Sequence, residues 1–282
     1  MILSILLVVG SGMMNAVWNF YAKQSKHKGV FLGSMFMAAS LVLTPYLVIE
    51  LTDAVLPAQA YVLMGLSALI QGGYSYLLSR AYAFGDLSQM YPIMRGTGVV
   101  LVPVIGVLVL EESLQIWGWI GVALIAAGLY GLSGWRRRPE PGRGTFRPIL
   151  FALGVGLCIT LYTVVDKMTL QYLSPLSLLQ VSNFGFMLVH LPSLLKREHV
   201  REEWALNWKF ILLGSLLSPG SYLLFLFAMN LAPVSKIAPI REVGTVFAVL
   251  LGIVLLREKQ GAIRIAISAV IVTGIAVIGL GG

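Results

Sequence analysis

Apolar runs of about 20 residues recur along the whole chain, each closed by a short polar or charged break, and this pattern dictates the fold class. A helix rising about 1.5 Å per residue needs about 20 apolar residues to cross a hydrocarbon core of about 30 Å. The pattern predicts ten spanning helices, at 2–22, 30–51, 60–82, 87–110, 114–134, 147–168, 174–195, 208–231, 234–256 and 261–281. Outer-membrane strands would show shorter segments of alternating polarity, and the chain has no such segments. The longest polar stretches, 135–147 and 196–207, read as connectors, so no soluble domain is predicted. The first run starts at Met1 with no basic stretch before it, so no cleaved signal peptide is expected.

Composition agrees with that class. Of the 282 residues 58% are hydrophobic and 11% charged, with a mean hydropathy of +0.87; a soluble domain would carry roughly a quarter charged residues. The net charge of +8 is distributed unevenly. Sixteen of the 20 basic residues fall in alternate connectors: Lys23, Lys26 and Lys28; Arg80; Arg136, Arg137, Arg138, Arg143 and Arg147; Lys196, Arg197, Arg201 and Lys209; Arg257, Lys259 and Arg264. The opposite face keeps Lys167 and Lys236 beside Glu50, Asp53, Glu111 and Glu112. The bias of Lys and Arg in short loops sets orientation, so the basic connectors are expected to be cytoplasmic and both termini outward. Charge tied to membrane-flanking loops excludes a nucleic-acid partner. The single thiol, Cys158, lies inside span six and reads as packing.

The chain also repeats itself. Shifted by 147 residues, 77–112 lies over 224–259 with ten identities and no gap, including Ala81/Ala228, Ser88/Ser235, Pro92/Pro239, Ile93/Ile240 and Glu111/Glu258. Near the start of each half, Trp18-Asn19 with Lys23 lines up with Tyr162-Thr163 and Lys167 at a shift of 144. The halves are read as a first five-helix repeat (1–134), a basic cytoplasmic connector (135–146) and a second repeat (147–282). Five is odd, so the second repeat must sit inverted in the membrane. Inverted repeats are a recurring transporter architecture with a midplane site between them.

The aromatic-Asn and Lys23 of span one, the Pro-Ile pairs of spans four and nine, and the Glu closing each half resemble EamA-type members of the drug/metabolite transporter superfamily. The resemblance covers the whole chain and implies ten helices in a 5+5 inverted repeat around a central cavity, working by alternating access. It implies a cargo among amino acids, nucleotide sugars, sugar phosphates, cations or lipid-linked sugars, and a bacterial inner (plasma) membrane location. No cofactor is implied. The expected partners are the bilayer, a small-molecule cargo and a coupling proton or counter-substrate, in a monomer or homodimer.

Ionisable groups deep in a span mark function by default. Arg95 lies about nine residues into span four, and Arg241 and Glu242 equally far into span nine, roughly 12–14 Å deep. Two readings of them stand beside a gating role. In the first, Arg95 and Arg241 grip an anion with the guanidinium fork. In the second, Arg95 pairs with Glu242, its equivalent in the repeat, and pins the halves together. Pro92 and Pro239 just before them, and Pro219 in span eight, are read as helix kinks that free backbone carbonyls beside a cavity, with Gly96, Gly98 and Gly244 permitting close helix approach.

Polar stripes on one helix face point inward. Span one offers Ser11, Asn15, Trp18 and Asn19; span three Ser67, Gln71, Tyr74 and Ser75; span seven Ser177, Gln180, Asn183 and His190; span eight Ser215, Ser218 and Tyr222; and Tyr162 is placed to close against the cargo. These contact substrate or act as interhelical glue. The candidates for coupling are Glu242, Asp166 and His190; Asp166 also reads as a pair with the adjacent Lys167. Span one has no carboxylate, which disfavours small-multidrug-type cation export.

The sequence thus points to a secondary transporter, an exporter or exchanger of an anionic or zwitterionic metabolite. The alternatives are a flippase for a lipid-linked head group, an amine carrier using Glu242, and a non-catalytic scaffold. An enzyme would need a nucleophile with its base, paired carboxylates or a metal cluster, and the His residues at 27, 190 and 199 are scattered.

Overall fold

A computed structural model of the chain describes residues 2–84, 87–132, 146–256 and 261–281. The described residues form helices α1 (Ile2–Gln24), α2 (Lys28–Asp53), α3 (Ala58–Phe84), α4 (Leu87–Val109), α5 (Ile116–Leu132), α6 (Phe146–Thr169), α7 (Pro175–Leu194), α8 (Arg197–Leu231), α9 (Val234–Ile240), α10 (Val243–Leu256) and α11 (Gly261–Gly281), with no strand among them. Together they are an all-α polytopic membrane protein of ten spans, α9 and α10 sharing the ninth. Six of the helices are long and apolar enough to cross a membrane by length and composition alone. Of the 135–146 connector, residues 135–145 lie outside the described residues and Phe146 begins α6.

Packing obeys the repeat. If span n is exchanged with span n+5, the largest contacts map onto one another: α1 on α8 and α3 on α6; α2 on α8 and α3 on α7; α1 on α9–α10 and α4 on α6. The α2–α7, α4–α9 and α5–α11 pairs map onto themselves. Even close approaches recur. A Cβ on Gly12 of α1 would stand 2.9 Å from Gly244 N and 3.1 Å from Arg241 O, while one on Gly156 of α6 would stand 2.8 Å from Met94 O and 2.4 Å from Thr97 Cβ. Both repeats therefore seat a glycine against the same turn of the fourth or ninth span.

Two spans differ from the sequence reading. Residues 196–207, expected as a connector, are mostly helical and extend α8 toward its start; the non-helical residue is Asn207 (φ −126°, ψ 16°). Glu203 explains the extension. It is fully buried and accepts His27 N–H at 2.6 Å and Asn207 Nδ2–H at 2.7 Å, docking the lead-in against the α1–α2 turn. Within α8, Asn207 has non-helical backbone angles, and Pro219 lies inside the helix.

The ninth span, read as one helix, is two. α9 ends at Ile240, Arg241 and Glu242 form a turn, and α10 begins at Val243. Arg241 N bonds to both Ile237 O and Ala238 O at 3.2 Å, and Glu242 N, Gly244 N and Thr245 N each reach back three residues. That is the tighter 3₁₀ pattern. α4 carries the equivalent proline yet runs unbroken. At the matching position Thr97 Oγ1 bonds back to Ile93 O at 2.7 Å, whereas Gly244 has no side chain and Thr245 Oγ1 donates to the Glu242 carboxylate, three residues earlier, at 2.8 Å. The side chain of Pro92 lies outside the described residues.

Candidate functional site

The break in the ninth span sets two opposite charges at the centre of the molecule. Glu242 turns to α4, where Arg95 Nη2 meets its Oε1 at 2.7 Å and Arg95 Nε its Oε2 at 3.2 Å, a two-point pair. Arg241 turns to α1 and α8. Its Nε–H donates to Ser11 Oγ at 3.0 Å and its Nη2 to Ser221 Oγ at 3.4 Å. Its guanidinium carbon lies 4.4 Å from the Phe225 ring centre and 5.5 Å from that of Tyr222. Among the described residues no carboxylate stands within ion-pair distance of Arg241. The cation is held instead by hydroxyls and aromatic faces, both of which attract it without cancelling its charge.

Beside Arg241 lies a cavity of about 100 Å³, room for several waters or a small polar molecule. Asn15, Trp18, Asn19, Gln71, Tyr74, Arg95, Tyr162, Asn183, Tyr222 and Arg241 all line it, so the structure gathers ten of the sequence-derived cargo candidates, from seven spans, around one space. Glu242 stands just outside, in a smaller pocket of about 20 Å³ that shares Arg95, Tyr162 and Arg241. Trp18 Nε1 is buried with no hydrogen-bond partner among the described residues. Tyr162 stands edge-on to both Tyr74 and Tyr222, with ring centres 5.8 and 5.9 Å away. The asparagines are partly used: Asn19 Nδ2 donates to Asn15 O at 2.8 Å, and Asn183 Nδ2 to Gln180 Oε1 at 3.4 Å.

The coupling candidates part company here. Asp166 is fully buried. It accepts Ser67 Oγ–H at 2.5 Å, Gln71 Nε2–H at 3.3 Å and the Tyr222 hydroxyl. The pairing with Lys167 is not found: Lys167 Nζ turns away to the Met229 and Ala232 carbonyls at the end of α8, where a cation suits the helix dipole. His190 bonds Ser75 Oγ at 2.8 Å, one layer behind the cavity. Pro219 lines the cavity; Pro239 is buried one residue before α9 ends.

The two sides of the cavity are built differently. Toward the basic connectors, two separate apolar clusters flank it: Ala81, Met90, Met94, Ala152 and Val155 from α3, α4 and α6, and Phe31, Met35, Phe36 and Ile211 from α2 and α8. Toward the other face one continuous cluster, including Val8, Leu47, Val102, Leu179, Phe225 and Met229, draws on both repeats. Two carboxylates that the sequence reading treated as surface charge tie the repeats together there. Glu50 of α2 accepts Ser174 N–H at 2.7 Å and the hydroxyls of Ser174 and Ser177 at 2.5 Å, at the start of α7. Glu112 accepts Val234 N–H at 2.8 Å and Ser235 N–H at 2.7 Å, at the start of α9. Each carboxylate comes from the first repeat and caps a helix of the second, where the unpaired N–H groups and dipole favour an anion.

The sequence reading did not single out Ser221, Ser182, Phe225, Glu50 or Glu112 for the site. The serines and Phe225 look like ordinary packing in an apolar run. The one available signal for the carboxylates was their position, each at the end of a span that faces a helix start in the other half.

Comparison with known proteins agrees with this architecture. Residues 146–280 match the EamA-like transporter family, and residues 58–125 match the Small Multidrug Resistance protein family. A Sinorhizobium sp protein described as an uncharacterized transporter in the cobO 3′ region is 36% identical over 73 residues, 26% of this chain and 51% of that protein. The chain thus spans about half the length of that curated relative. A solved structure, titled only as the crystal structure of a protein, superposes with a TM-score of 0.71 at 16% identity over 98% of this chain and 96% of that one, which shows a shared fold. The second half of the chain, just under half of its length, thus resembles the EamA-like transporter family and part of the first half resembles a small multidrug resistance protein, on a fold shared with a solved structure.

Proposed function

We propose that this transporter carries a small anionic or zwitterionic metabolite by alternating access, with the anionic group of the cargo held by Arg241. One observation carries the reading. Arg95 is matched by Glu242, whereas Arg241 reaches the cavity wall among hydroxyls and rings with no carboxylate in pairing distance among the described residues. A buried cation in that setting gains most from an anion arriving beside it. The Trp18 N–H, which has no partner among the described residues, and the nearby Asn15, Asn19 and Asn183 supply donors and acceptors for the rest of a polar cargo. The two-point Arg95–Glu242 bond counts against an amine carrier built on Glu242, because that carboxylate already has its cation.

Alternation follows from the uneven closure. The state described is sealed on the face away from the basic connectors and divided into two apolar clusters on the connector side. With the connectors cytoplasmic, as their Lys and Arg content favours, this is the inward-facing half of the cycle in an inner membrane. The repeat allows the opposite arrangement, in which the continuous cluster parts and the two connector-side clusters meet.

A thermal-shift screen of the purified protein against amino acids, organic acids, sugar phosphates, phosphonates and amines tests the assignment. One anionic or zwitterionic class is expected to stabilise the wild type, by about 2.7 kcal/mol at a hundredfold excess over Kd, and to lose that effect in Arg241→Ala. Stabilisation by amines that survives Arg241→Ala would overturn it.

A further inference from the structure

Asp166 is a buried carboxylate that the cargo site reaches through two side chains, Gln71 and Tyr222. Its partners are all neutral: Ser67 and Gln71 of α3 and Tyr222 of α8. The charged and titratable groups around it are otherwise engaged. On its own helix Lys167 is turned to the α8 carbonyls and Tyr162 is packed against the Tyr222 ring. Arg95 of α4 is paired with Glu242, His190 of α7 is bonded to Ser75, and Arg241 at the α9–α10 turn sits over Tyr222 and Phe225. Among the described residues no cation stands within ion-pair distance of Asp166.

We propose that Asp166 is a proton-binding site and that Tyr222 transmits its protonation to the cargo cavity. The inference rests on the reading of that cavity as the cargo site. The physical basis is a count of donors and acceptors. An ionised carboxylate only accepts, so all three neighbours donate to it, as the distances show. When a proton from water binds Oδ2, the new O–H must donate. Its neighbours at that oxygen are the Gln71 amide nitrogen, which has no acceptor capacity, and the Tyr222 oxygen, which has it. Tyr222 therefore changes from donor to acceptor, and its own hydrogen swings away from Asp166.

That hydrogen has one productive direction. Tyr222 lines the cavity, as does Gln71, while its ring already packs under the Arg241 guanidinium. The released O–H adds a donor next to the cation that holds the anionic group. Protonation of Asp166 thus favours an anion at Arg241, and by linkage a bound anion favours the proton by the same factor. One proton and one anionic cargo bind in the same state and cross together. Protonation at Oδ1 would instead engage Ser67, which is not part of the cavity wall, and would leave Tyr222 unchanged.

Infrared difference spectroscopy of the full-length protein in lipid nanodiscs, without any cargo, tests this between about pH 5 and pH 9, the range in which a physiological proton switch must act. In the wild type a protonated-carboxyl stretch and a tyrosine C–O band are expected to change together. Asp166→Asn should lose both changes. Tyr222→Phe should keep the carboxyl band, lose the tyrosine change and move the carboxyl midpoint by about one pH unit. The proposal falls if the wild type shows no carboxyl protonation in that range, if the band survives Asp166→Asn, or if the tyrosine band stays fixed while the carboxyl titrates. Should Asp166→Asn fail to fold, the wild-type and Tyr222→Phe spectra decide. Because no cargo is present, a failed cargo assignment leaves this result readable. Anion stabilisation that needs Arg241 but comes with silent spectra would overturn the proton site alone.

Discussion

Arg95 Nη2 and Glu242 Oε1 lie 2.7 Å apart although 147 residues separate them, the same offset that superposes the two halves of the chain. Residues at equivalent places in two repeats touch each other only where the pseudo-two-fold axis passes between them. The pair therefore marks that axis.

Breaking the pair leaves a charge in a mostly buried place, and that cost is large. Arg95→Ala or Glu242→Ala should each lower stability by about 3 kcal/mol or more. The exchange Arg95→Glu with Glu242→Arg should recover part of the loss, because the axis makes the two places near-equivalent. Thermal unfolding in detergent of the two singles and the swap checks it, and a swap no better than the singles would contradict the axial placement.

Gly12 is the contact on which the α9–α10 turn rests. Gly12→Val puts a branched side chain where even a Cβ would be 2.8 Å from Val243 Cγ1 and 2.9 Å from Gly244 N. The variant should lose about 1–3 kcal/mol and, with the turn displaced, anion stabilisation through Arg241. Unchanged melting with and without the stabilising ligand would refute the contact.

Glu112 holds the start of α9 on the sealed face. Glu111 has φ 55°, the left-handed region, and Glu112 N bonds Gly106 O at 3.2 Å, a helix end that throws the Glu112 carboxylate across to Val234 and Ser235. Glu112→Gln should weaken the seal by about 1.4 kcal/mol, roughly a tenfold rise in opening. Labelling of Ser235→Cys by a membrane-impermeant thiol reagent, in a Cys158→Ala background, reads that rise directly. An unchanged labelling rate would show that the cap is not part of the closure.

Lys167 performs the complementary task at the end of α8. Lys167→Met keeps the stem and removes the donor to the Met229 and Ala232 carbonyls, so stability should drop by about 1 kcal/mol. Lys167→Arg should restore most of it. If Asp166 were its partner after all, Lys167→Met would instead be compensated by Asp166→Asn, a result that the present geometry does not allow.

The sequence by itself determined the span count, the duplication and the inward faces. These are written in one dimension: a run of about 20 apolar residues has one stable solution in lipid, a shared register such as Pro92/Pro239 reports ancestry, and Asn15, Gln71 or Asn183 in such a run must face protein. Tertiary structure alone decided who meets whom. Nothing local tells Arg95, matched by Glu242, from Arg241, left to Ser11, Ser221 and Phe225, because partner choice depends on which turn of the ninth span unwinds. The unwound turn is packed against Gly12 of another helix, and Asp166 turns to Ser67, Gln71 and Tyr222 because α3 and α8 bring donors closer than the chain neighbour Lys167 can reach. Hydrophobic pattern is a property of the chain, whereas electrostatic partnership in a membrane is a property of distances, and those exist only once the helices are packed.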